Sequence, residues 1–199
     1  MVAPFPYVAG SILTAAQLNS MESGVVQSVG LLSATYYASP STAQTSIATT
    51  VNRLYLTPIY IPTTTTFDRI AINSGTTVTN PTTVRLGIYS NVAGVPTALV
   101  LDAGTVSVTA ISSGYEITIS KSLDGGWYWL GSVNQTAAST THLYFLSGQS
   151  GNGITRMSSL TSLLQGFGYN IDGITGALPA TLTAPNAVSS SPIVKLRKA

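Results

Sequence analysis

Cysteine is missing from this sequence, which excludes a disulfide framework and any thiolate metal site. Charge is nearly missing too. Eight basic and six acidic residues make up 7% of the 199 positions, where a quarter or so is ordinary. The formal charge of +2 leaves no electrostatic footprint for nucleic acid, so no such partner is expected. The single histidine, His142, has no second imidazole with which to build a metal cluster. No apolar run reaches the roughly 18 residues of a spanning helix, so membrane insertion is not expected. Met1-Val2-Ala3-Pro4-Phe5-Pro6 has neither the basic nor the apolar region of a secretory signal. The expectation is a soluble chain made in the cytoplasm.

What the sequence does hold is strand-forming material. Hydrophobic residues make up 44%, and the polar remainder is mostly Thr, Ser, Asn and Gly. That balance is the reverse of a disordered chain, and Thr, Val, Ile and Tyr suit a pleated, half-buried surface. A surface so poor in charge has few devices against edge-to-edge association, so much of it is expected to be covered by other copies or other proteins. Lys195, Arg197 and Lys198 crowd the last five positions, either as a solvated end or against an acidic neighbour.

Residues 1–35 read as an N-terminal arm and helix. Thr14-Ala15-Ala16-Gln17 fits a capping box, and Leu18, Met21, Val25 and Leu32 follow at spacings of 3, 4 and 7. Gly24 and Gly30 weaken that helix by roughly 1 kcal/mol each, so it needs a docking partner. Residues 36–199 read as a β-sandwich domain of the jelly-roll type, with the stretch to residue 52 serving as linker or first loop. Strands are expected at Leu54–Pro62, with Pro58 marking an edge or bulge, and at Phe67–Asn73, with a Ser74-Gly75 turn. Further strands are expected at Thr83–Ser90, at short pieces either side of Asp102-Ala103-Gly104, at Tyr115–Ser120, Trp127–Asn134, Thr141–Ser147 and Ser191–Lys198. Residues 148–187 read as loop with one helical turn near Ser159–Leu164. The fold class is all-β.

A search for catalysis is mostly negative. No Gly-x-Ser-x-Gly elbow and no phosphate-binding glycine loop is present. A glycosidase would need two carboxylates facing one another, and Asp102 with Glu116 is the pair to consider. The reading is a non-enzymatic protein without cofactor or metal. Ten tyrosines and two tryptophans offer faces suited to saccharides or protein surfaces. Trp127 and Trp129 alternate in one strand and read as core that holds the sandwich together, which leaves Tyr55, Tyr89 and Tyr128 as the surface residues for a glycan.

Several segments carry a family resemblance: Phe67-Asp68-Arg69-Ile70-Ala71-Ile72, Val84-Arg85-Leu86-Gly87-Ile88-Tyr89-Ser90-Asn91, Gly94-Val95-Pro96, and Leu99 through Val106. Glu116-Ile117-Thr118-Ile119 and Gly126-Trp127-Tyr128-Trp129-Leu130 continue it. Together they resemble a jelly-roll module of tailed-bacteriophage structural proteins, the minor tail, head- or tail-fibre and decoration proteins. Ala9-Gly10-Ser11-Ile12-Leu13-Thr14-Ala15-Ala16-Gln17-Leu18-Asn19 is similar to the virion-proximal opening of phage fibre and tail proteins. The resemblance implies a virion protein attached to capsid or tail by its N-terminus, with other virion proteins as partners. Phe5, Leu13, Leu18, Met21, Val25 and Leu32 are the residues assigned to attachment or oligomerisation, and the apolar seam among them suits a homotrimer. A host-receptor or carbohydrate-binding module is the alternative, and a glycan-degrading enzyme a remote one.

Overall fold

The computed structural model describes residues 31–39, 44–136, 140–146, 156–157, 165–166 and 168–199, the two dipeptides by backbone alone. The expected arm and helix, with Phe5, Leu13, Leu18, Met21 and Val25, lie outside the described residues, as does the turn near Ser159–Leu164. Leu31–Ala199 is one unit. Among its described residues are fourteen strands and no helix. They are β1 (Tyr36–Tyr37), β2 (Gln44–Ala48), β3 (Leu54–Ile61), β4 (Thr65–Val78), β5 (Thr82–Val92), β6 (Val95–Val108) and β7 (Gly114–Leu123). There follow β8 (Gly126–Asn134), β9 (Thr141–Leu146), β10 (Arg156–Met157), β11 (Gln165–Gly166), β12 (Gly168–Ile171), β13 (Asn186–Val188) and β14 (Val194–Lys198).

The pairing is nested. β5 pairs with β6, β4 with β7, β3 with β8 and β2 with β9, all antiparallel. This is one long ribbon whose tip is the Ala93-Gly94 turn, where both residues take the positive φ of a tight hairpin. The ribbon folds over on itself into two sheets that pack as a β-sandwich. The first has the order β1-β14-β4-β9-β2, with β7 also on β4. The second runs β13-β12-β3-β8-β5-β6.

Between the sheets lie Phe67, Ile70, Ile72, Val194 and Leu196 from one side, and Tyr55, Ile59, Ile61, Leu86, Ile88 and Leu130 from the other. Each such side chain contributes about 1.5–3 kcal/mol by leaving water. A second cluster sits on the other face of the second sheet. There Leu54, Leu56, Tyr89, Trp129 and Val133, with Tyr169 of the neighbouring β12, are packed with Leu178 and Leu182. A sheet covered on both faces loses its apolar–polar alternation, which is why β3 reads as an almost unbroken apolar run.

Three expectations change. The Ser74-Gly75 turn is the middle of β4, which continues to Val78. Gly75 is there for closeness: a Cβ would stand 2.2 Å from Ser46 Oγ and 3.0 Å from His142 Cβ. Asp102-Ala103-Gly104 interrupts nothing, since β6 runs through it with register shifts against β5. The stretch before residue 52 holds β1 and β2, and the sandwich takes in residues 31–35: Ala34 N–H donates to Lys198 O and Lys198 N–H to Thr35 O. Leu32, expected on a helix, lies in non-helical chain and is 71% exposed. Among the described residues, β12 pairs with β3 only over Leu54–Leu56, so at Pro58 the one strand paired with β3 is β8.

Candidate functional site

The three tyrosines assigned to a glycan do not share a surface. Tyr89 is fully buried in the second cluster, its hydroxyl donating to Pro179 O at 3.1 Å. Burial, with Asp102 nearby, pushes that phenol well above its ordinary pKa. Tyr55 is buried between the sheets, edge-on to Phe145 with centroids 5.4 Å apart. Tyr128 is half-buried against the same inter-sheet core. The surface reading of Tyr55 and Tyr89 is therefore corrected. Tyr55 on β3 points between the sheets, whereas Tyr89 on β5 points to the other face of the second sheet, where the second cluster covers it.

That outer face is where both tryptophans lie. Trp129 packs edge-on against Tyr169 at 5.1 Å and donates its indole N–H to Asn91 Oδ1 at 2.9 Å. Trp127, two residues earlier and near the start of β8, pairs with Tyr60 of β3, the rings 5.3 Å apart and Tyr60 54% exposed. So the tryptophans share a face as expected, but it is the roofed outer face. Tyr60 was not legible as exposed, because its strand shows no polar alternation.

A cluster of charged residues lies on the outer face of the first sheet. Two of the six acidic and three of the eight basic residues meet there: Asp68 and Arg69 on β4, Glu116 on β7, and Lys195 and Arg197 on β14. Arg197 donates to both Asp68 oxygens, at 2.9 and 2.7 Å, and lies 5.8 Å over the Tyr36 ring. Arg69 donates to Glu116 at 3.2 Å, and the Tyr36 hydroxyl donates to the other Glu116 oxygen. The bond from Tyr36, then those from Arg69, hold the Glu116 carboxyl below its usual range, and the Arg197 bonds do the same for Asp68. The acidic neighbour of the basic C-terminal segment is thus, for Arg197, Asp68 of its own chain.

Beside this network is a groove of about 300 Å³ lined by Tyr36, Ala71, Asn73, Tyr115, Glu116 and Lys195, among others. Lys195 Nζ donates to Asn73 Oδ1 at 2.6 Å. Among the described residues no carboxylate pairs with it, and burial pushes its ammonium pKa down.

Asp102 and Glu116 do not form an acid–base pair. Asp102 lies on β6 of the second sheet, where it accepts from Arg85 Nε at 2.9 Å and from the Leu178 N–H at 3.0 Å. Glu116 lies on the outer face of the opposite sheet. Burial alone would raise the Asp102 pKa, but Arg85 and the amides of Leu178 and Gly104 bring it below the ordinary value. Neither carboxyl has the raised pKa of a general acid. His142 Nδ1 lies 3.3 Å from Ser46 Oγ, at the crowded contact with Gly75. Among the described residues, no group of three or more His, Asp or Glu side chains could hold a metal ion. No protein-family model matches the chain, and no curated protein matches it in sequence.

Proposed function

We propose that this chain is a non-enzymatic structural protein of a tailed-bacteriophage virion, a short fibre, spike or decoration protein. Its N-terminal residues anchor it to capsid or tail, and the β-sandwich is displayed outward. One observation carries the reading. The nested pairing of β2–β9, β3–β8, β4–β7 and β5–β6, folded into two sheets, is the winding expected of a jelly roll, eight strands in two four-strand rows. β14 and β1 then extend the row that contains β4. This supports the resemblance noted in the sequence, whose segments fall on β4 to β8. The sparse surface charge and the exposed Leu32 next to the proposed anchor favour an assembled state, for which we take a homotrimer.

The test is incorporation. Full-length protein carrying a C-terminal tag should label purified particles at regular positions in electron micrographs, and protein lacking residues 2–30 should fold but leave particles unlabelled. Labelling by the truncated chain would remove the anchor assignment, and particles that never contain the full-length chain would remove the virion assignment. Glycan recognition by the displayed domain is the second reading, favoured by the groove at Lys195.

A further inference from the structure

The groove on the first sheet differs from the ion-paired surface around it in one respect. Arg69, Arg197 and the two carboxylates compensate one another, whereas the Lys195 ammonium, half-buried, meets among the described residues a neutral amide oxygen and no carboxylate. An ammonium can only donate, so the Asn73 carbonyl oxygen must face it. The Asn73 NH₂ is thereby turned away from Lys195, and it lies 3.9 Å from where a Cβ on Gly114 would stand. With no side chain at Gly114, that side of the groove is left open to a ligand. Lys195 and Asn73, the sources of a charged and a neutral donor, both line this one recess. Its rim carries the Tyr36 ring, 39% exposed and fixed in place by its bond to Glu116.

We propose that this groove binds an acidic sugar, with Lys195 and the Asn73 amide holding its carboxylate and Tyr36 lying beside its ring. The proposal deepens the glycan reading of the displayed domain. A carboxylate supplies the charge that Lys195 lacks, and donors of this kind recognise it at short range. The hydroxyls of the same sugar would meet Glu116, an acceptor with both oxygens already positioned. A recess of about 300 Å³ accommodates one sugar residue and leaves the rest of a chain outside.

Full-length protein is titrated, by calorimetry and by NMR, with methyl glucuronide and with the methyl glycoside of a sialic acid. Methyl glucoside and acetate serve as the neutral and the sugar-free probes. At least one acidic glycoside should bind, more weakly as salt is raised, while methyl glucoside and acetate bind at least about tenfold more weakly. Lys195→Gln should reduce the affinity about tenfold or more and Lys195→Arg should retain most of it, with circular dichroism unchanged in both. No binding of either acidic glycoside overturns the proposal. So does acetate binding as tightly as the sugar, which would make this a plain anion site. Binding lost in Trp127→Ala but kept in Lys195→Gln would move recognition to the Tyr60–Trp127 pair and overturn it as well. Particle labelling is scored separately, so failure here leaves the virion reading standing.

Discussion

The indole N–H of Trp129 donates to the Asn91 side-chain oxygen across the outer face of the second sheet, 2.9 Å away. Two residues earlier Trp127 packs against the half-exposed Tyr60. One strand therefore carries two tryptophans on one face with unequal work. Trp129→Ala should cost about 3–5 kcal/mol, the range for an aromatic side chain removed from a packed cluster. Trp127→Ala should cost under about 1.5 kcal/mol. Denaturant midpoints give both values. Acrylamide should quench the fluorescence of the Trp129→Phe variant, which retains Trp127, more strongly than that of Trp127→Phe. Equal quenching would mean that the roof over Trp129 is open.

The carboxylates predict a pH dependence. Bonds from Arg197 lower the pKa of Asp68, the bond from Tyr36 lowers that of Glu116, and Arg53 lowers that of Asp172. Asp102 is lowered despite its burial. A carboxyl whose folded pKa is depressed adds stability in full above its unfolded pKa, here 3.8 for Asp and 4.5 for Glu. It loses that contribution as pH falls through the folded value. The urea midpoint should therefore be nearly flat between about pH 7 and 5 and fall below about pH 4. Asp68→Asn should start lower at neutral pH and fall less steeply in acid. A midpoint that rises on acidification would contradict these ion pairs.

Strands were legible in the sequence where one sheet face is polar. β7 alternates Tyr115, Ile117 and Ile119 with Glu116 and Thr118, and β14 alternates Val194 and Leu196 with Lys195 and Arg197. Both have an outer face that meets water, so periodicity gave the correct inward residues. On β3 and β8 the same reasoning could not choose a face, because Leu54, Leu56 and Trp129 are covered by a segment more than a hundred residues further from β3, around Tyr169 to Leu182. Tyr55 thus looked exposed although it is buried, and nothing in the pattern marked Tyr60 as the exposed tyrosine of that strand. The groove was hidden for a related reason. Tyr36, Asn73, Glu116 and Lys195 come from four strands, and no local spacing joins them.

Gly75 offers a test of how closely β2 and β9 press on β4. Gly75→Ala would put a methyl group against Ser46 Oγ and the Cβ atoms of Ser46 and His142. Because Ser46 pairs with Tyr144 and His142 with Ala48 in the β2–β9 ladder, the strain falls on that pairing. The substitution should cost about 1–3 kcal/mol, as overpacking does. Hydrogen exchange should accelerate first at Thr45–Ile47, before the β5–β6 amides change. Exchange that accelerates evenly over both sheets would mean the site is not a local contact.

Ser132 shows the opposite kind of defect. It lies on β8 opposite Tyr55 on one side and Leu86 on the other, 1% exposed, and its hydroxyl has no hydrogen-bond partner among the described residues. A buried hydroxyl in that position has lost its bonds to water and gained none in return. Ser132→Ala removes the uncompensated group while leaving a volume close to the original. Stability should rise by about 1 kcal/mol, seen as a melting temperature higher by about 2–4 °C. A loss of stability would instead show that the hydroxyl is satisfied in solution, and a buried water between the sheets would be the partner to look for.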